Sequence, residues 1–156
     1  MLRNLIAGCA LLALSTAGIA ADVTYRKDIR PLWVKQCSDC HGAGSPYLGE
    51  FEENKKKFES SRTGPRMDTY ADLIFYVGWP DTGALMRRLD DGKTPAGGKP
   101  GNMYQYLGDT DEERQKNLNL YKEWVGMEAW KHNRWETRGK VPAITKEEMD
   151  KIKVKY

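Results

Sequence analysis

Two cysteines three positions apart, with a histidine directly after the second, constrain this chain more than any other feature. The run is Cys37-Ser38-Asp39-Cys40-His41, in a sequence of 156 residues that holds three cysteines and two histidines. The third cysteine, Cys9, lies in a stretch that reads as a secretory signal. Arg3 supplies a positive start, an apolar run of about ten residues follows, small residues fill most of positions 15–21, and polar sequence begins at Asp22. Gly18-Ile19-Ala20 is the expected cleavage site, so residues 1–20 read as the signal peptide. The apolar run falls short of the roughly 20 residues a transmembrane helix needs, although an uncleaved anchor is the alternative. Ile6-Ala7-Gly8-Cys9 also resembles a lipoprotein box, which would tether the protein through an acylated Cys9. Against that, the apolar run continues past Cys9 instead of ending before it.

Loss of residues 1–20 leaves one cysteine pair, Cys37 and Cys40. A disulfide framework needs more than one pair, and an oxidising compartment threatens free thiols, so something should occupy these two. The pattern C-x-x-C-H is the one that attaches haem covalently. Two thiols separated by two residues in a bent segment can reach the two vinyl groups on adjacent pyrroles and form thioethers. The next residue then directs its imidazole under the ring, which makes His41 the expected proximal iron ligand and Cys37 and Cys40 the cofactor-binding residues. Shuffling this composition would produce the pattern on the order of once per thousand arrangements. Three other readings compete. A thioredoxin-like redox pair needs a strand before the motif, where this sequence predicts a helix. A zinc site needs two further ligands, with His41 and His132 the only histidines available. A simple structural disulfide is the third.

Apolar periodicity predicts helices almost throughout. Residues 22–36 place Ile29, Trp33 and Cys37 at four-residue steps, with Asp28 as the expected cap and Pro31 inside the first turn. Residues 42–46 read as a loop. Residues 50–62 read as a charged surface helix with Phe51 and Phe58 as its apolar stripe, broken by residues 63–65. Residues 70–77 are expected to be helical behind a cap at Asp68 or Thr69, and residues 83–90 form another short helix. Residues 91–102 hold four glycines and two prolines and must be a loop. Residues 110–130 form the clearest helix, with a Thr110/Glu113 capping box and Leu118, Tyr121, Trp124 and Val125 on one face. Tyr121 and Trp124 are expected to pack on Trp33. The tail, residues 131–156, is polar, with one helix started by the Thr145/Glu148 box and Ile144, Met149 and Ile152 available to pin it.

A helix, then the haem motif near the mature N-terminus, then Thr82-Gly-Ala-Leu85-Met-Arg-Arg-Leu89, Met103, and a helix from Leu107 through Trp124-Val125 together resemble class I c-type cytochromes. The resemblance covers roughly residues 25–130. It implies a single haem in a crevice between the first and last helices, with a methionine from the loop before the last helix as sixth ligand. Tyr104 stands where that family carries a proline after the methionine. Met67, Met86, Met103, Met127, Met149 and His132 are the candidates in the mature chain. Met103 is the expected ligand. It sits beside Gly101 and Pro100, seven residues before Thr110, on a loop whose backbone can release an axial sulfur. Met67, in another loop, and His132, which would give a lower-potential bis-histidine haem, are its rivals. Arg62, Arg66, Arg87 and Arg88 are candidates to pair with haem propionates.

The expected protein is therefore all-α: one domain over residues 21–156, a bundle of short helices around one covalent haem c, with a core over about 25–130 and a polar C-terminal extension over 131–156. The formal net charge of +3 includes Arg3, and so gives no basic excess for nucleic acid. No nucleophile, acid or base constellation stands out, so an electron carrier between redox partner proteins is expected rather than an enzyme. It should be periplasmic, with no stable membrane insertion once the signal is cleaved, and with possible docking to a membrane respiratory complex. A haem subunit of a larger respiratory complex is one alternative, and a haem enzyme or gas sensor with an open or displaceable sixth site is another.

Overall fold

The computed structural model describes residues 22–79, 81–94, 98–132 and 144–156, so residues 1–21 with Cys9, Pro80, residues 95–97 and residues 133–143 lie outside the described residues. Every regular element among them is helical.

The N-terminal helix begins earlier than Asp28. Thr24 caps it, accepting from the Lys27 amide at 3.3 Å, while the Asp28 carboxylate reaches back to the Thr24 amide at 2.8 Å. Asp28 is thus the return arm of the cap and not the cap itself. The first turn, Tyr25–Ile29, is π-helical, and α1 (Arg30–Gln36) follows with Pro31 at its start. Pro31 has no N–H for a carbonyl one turn back, and the turn before it widens accordingly. Tyr25, Ile29 and Trp33 fall on one face and are buried. After α2 (Ser38–His41), the charged segment forms two helices, α3 (Leu48–Glu53) and α4 (Lys55–Ser60), in place of one. The break at Asn54 folds them so that Phe51 and Phe58 stack at 6.0 Å. Thr69 caps α5 (Tyr70–Phe75), and α6 (Ala84–Leu89) starts behind Gly83, whose φ of +77° favours glycine.

The long helix α7 (Asp111–Val125) stops at Gly126, with φ +103°, and α8 (Met127–Trp130) continues in a new direction. A side chain on Gly126 would meet the carbonyl of Lys151 at 2.6 Å, so the same glycine ends the helix and admits the tail across it. Thr110 accepts from the Glu113 amide as expected, but the Glu113 carboxylate goes to the Asp109 amide and to Lys35. Leu118, Tyr121, Trp124 and Val125 are fully buried. The ring neighbours of Trp124 are Tyr70 at 6.5 Å and Tyr25 at 6.2 Å, the latter two turns earlier on the N-terminal helix than the expected Trp33.

The tail is built into this core. Behind α9 (Lys146–Met149), whose Thr145/Glu148 box is complete, Ile152 and Val154 pack on the core. Helix termini leave backbone groups without partners, and residues 153–156 supply them at two ends at once. The Lys153 and Val154 amides donate to the carbonyls of Val125 and Trp124, and the Lys155 carbonyl accepts from the Tyr25 amide at 2.8 Å. The Tyr156 ring stacks on Tyr25 and meets Tyr70 edge-on.

Candidate haem site

The motif leaves α1 at a bend. Cys37 departs from helical geometry, with φ −124° and ψ −23°, and α2 restarts behind it. Its carbonyl nevertheless accepts from Cys40 N at 3.2 Å and His41 N at 3.0 Å, which draws the two cysteines and the histidine into one tight turn. Both thiols are free. Cys37 is half-buried with its thiol toward the Tyr121 hydroxyl, and burial pushes its pKa up to about 11. Cys40 is exposed.

The His41 ring is fixed from the other side. Nδ1 lies 2.7 Å from the carbonyl oxygen of Pro65. A carbonyl can only accept, so Nδ1 carries the proton and the lone pair resides on Nε2. Burial draws the His41 pKa down, the Pro65 bond partly offsets this, and the charge of Arg88 lowers it further. The segment carrying Pro65 is itself sewn to the motif: Gly64 N donates to the Cys40 carbonyl at 2.8 Å, and Met67 N to the His41 carbonyl at 2.9 Å. A Cβ on Gly64 would overlap the imidazole at three of its atoms, so only glycine fits there. Residues 63–65 read from sequence as no more than a helix breaker. Their signal was a Gly-Pro pair some way after the motif, which carries no mark of its target.

Met103 is half-buried against the core. Its amide donates to the Arg88 carbonyl at 2.9 Å, which ties its loop to the end of α6, the same end whose Arg88 charge reaches His41. A Cβ on Gly101 would collide with the carbonyls of Arg87 and Arg88, so glycine permits this close approach. Met86 is 2% exposed within the core, Met127 is 55% exposed, and Met149 is 42% exposed with its sulfur beside Gly78. His132 follows α8, with its amide on the Ala129 carbonyl and its own carbonyl against Gly83. Among the arginines, Arg66 is engaged with Asp68, and Arg87 is buried on Asp81 and the Thr82 carbonyl. Arg88 is exposed with Asn102 as partner, and Arg62 is exposed. For the zinc alternative, no cluster of three or more His, Cys, Asp or Glu side chains that could hold a metal ion occurs among the described residues.

The donor set suits haem: two thiols and an imidazole on one bent segment, with the imidazole's free lone pair on the nitrogen away from its anchor. An all-helical core around such a segment defines a c-type cytochrome fold. A sequence model of the PccH cytochrome c family matches residues 24–156. The solved structure of the monohaem cytochrome PccH from Geobacter sulfurreducens resembles this chain with a TM-score of 0.75 at 52% identity, over 87% of this chain and 100% of that one. Comparison with curated proteins finds no match. The chain belongs to the PccH cytochrome c family, whose members carry one covalently bound haem c.

Proposed function

We propose that this protein is an exported, single-domain electron carrier spanning residues 21–156. Cys37 and Cys40 hold the haem as thioethers, His41 Nε2 and the Met103 sulfur bind the iron, and single electrons pass between redox partner proteins as the iron cycles between its ferrous and ferric states. The observation that carries the reading is the His41 Nδ1 to Pro65 hydrogen bond. It fixes the tautomer and the ring plane that an axial histidine requires. Met103 is favoured as the opposite ligand because the Met67 amide is bonded to the His41 carbonyl, within the segment that holds the imidazole through Pro65, and Met86 is enclosed in the core. Thioether ligation would raise the potential relative to bis-histidine haem. Two protein ligands leave the iron no open position, which favours carrier over enzyme. No helix among the described residues is long and apolar enough to cross a membrane.

Substitution at Met103 tests this. Met103→Ala should give a high-spin component, a lower potential and rapid carbon monoxide binding, whereas Met67→Ala and Met86→Ala keep the low-spin spectrum. An unaltered spectrum and potential in Met103→Ala overturns the assignment, and loss of the native spectrum in His132→Ala would transfer it to His132.

A further inference from the structure

The loop that carries Met103 leaves α6 and returns to it, and one buried carboxylate stands at its base. Asp90 is only 3% exposed. Its side chain takes hydrogen bonds from the Gly92 amide at 2.8 Å, from the Thr94 hydroxyl, and from Trp130 Nε1 at 2.7 Å. Its carbonyl accepts from the Gly101 amide at 2.8 Å, and Met103 N bonds the Arg88 carbonyl two residues earlier. The side chain therefore holds the outgoing limb of the loop, the backbone holds the returning limb, and the indole ties both to α8, 40 residues away in sequence. Next to it, the Asp91 side chain faces Lys122 at 3.8 Å, and the Lys122 ammonium lies 5.8 Å from the centre of the Trp130 ring. A buried carboxylate offers acceptor sites only. Here donors from two parts of the chain converge on it, and each would be left unmet if it were lost.

We propose that the Asp90–Trp130 pair is a positioning device for the sixth ligand: it fixes the base of the Met103 loop and so sets how readily the sulfur gives up its place to an exogenous donor. This rests on the reading of Met103 as that ligand. Groups that hydrogen-bond a metal's ligand commonly change affinity by about 10–100-fold when altered, and a pair acting through the loop that carries the ligand belongs at the lower end of that range. The pair acts on the iron only through Met103, so its contribution vanishes when Met103 is absent.

The test is imidazole titration of the purified ferric holoprotein, followed by the weak sulfur-to-iron charge-transfer band and by the Soret shift. Asp90→Asn and the milder Trp130→Phe should each bind imidazole roughly tenfold more tightly than the parent. Their effects should not add in the double variant, because one link is broken in both. In a Met103→Ala background neither should change imidazole affinity. Parental affinity in both single variants, with Met103→Ala binding more tightly, overturns the proposal while leaving the Met103 reading intact. Lowered thermal stability with parental affinity does the same and leaves the pair a structural role only. Parental affinity in Met103→Ala itself overturns the Met103 reading and this inference with it.

Discussion

Trp124 Nε1 donates to the carbonyl of Lys155 at 2.9 Å, across 31 positions of sequence, so the most buried aromatic of the long helix takes its polar partner from the tail. The same tail residues satisfy the last carbonyls of α7 and the first amide of the N-terminal turn. Removing residues 152–156 from the holoprotein should therefore lower stability by about 3 kcal/mol or more, at roughly 1 kcal/mol for each hydrogen bond lost. Denaturant unfolding followed by far-ultraviolet circular dichroism measures this. A tail that is mere surface would leave the midpoint unchanged.

Gly64 leaves room for the His41 imidazole by having no side chain. Gly64→Ala would push a methyl into the ring of His41, which must turn away from the Pro65 carbonyl. The haem should stay covalently attached through acid–acetone extraction while the low-spin spectrum weakens. A parental spectrum would mean that the 63–67 segment yields instead of the ring.

Asp90 gives a pH signature. Burial would raise its pKa, but the bonds from Thr94, Trp130 and Gly92 outweigh burial and hold it below the usual carboxylate range. The fold thus favours the charged form. This contribution is complete above the ordinary aspartate value of about 4 and is lost as pH falls through the lower folded value. Asp90→Asn should be less stable than the parent at neutral pH and should lose less on acidification, as read by chemical denaturation across the acid range. Parallel stability curves for the two proteins would exclude the assignment.

Export predicts a mature N-terminus near Ala21 or Asp22. Asp22 is already engaged in the fold, paired with Lys155 at 2.7 Å. N-terminal sequencing of protein from its native host should find this end. A lipidated Cys9 there would replace a soluble periplasmic carrier with a tethered one.

Side-chain pattern carried most of the fold. The spacing of Ile29 and Trp33, the face of Leu118, Tyr121 and Trp124, a cap at Asp68 or Thr69 and the cap at Thr145 all read as helices, and those helices are present, with Thr69 as the cap. The pentapeptide 37–41 named the cofactor. What escaped was backbone work. Lys153, Val154 and Lys155 contribute mainly amides and carbonyls, which hydropathy does not record, so a structural strap looked like a polar extension. Pro65 contributes a carbonyl and Gly64 an absence of side chain, and neither has a type-specific signature. Asp90 and Trp130 were visible as residues, but their contact spans 40 positions and follows no helical period. The breaks at Asn54 and Gly126 turned two continuous patterns into four helices, because apolar periodicity survives a bend.

The Asp22–Lys155 contact joins residues 133 positions apart. Residues 155 and 156 cover the edge of Tyr25 from the other side of the sequence, and pairings of such long range form slowly. The turn at residues 37–41 closes on hydrogen bonds that span only three and four positions, so its formation does not wait for that contact. The fold thereby separates a locally closed motif turn from a strap over Tyr25, Tyr70 and Trp124 that depends on residues brought together from opposite ends of the described chain.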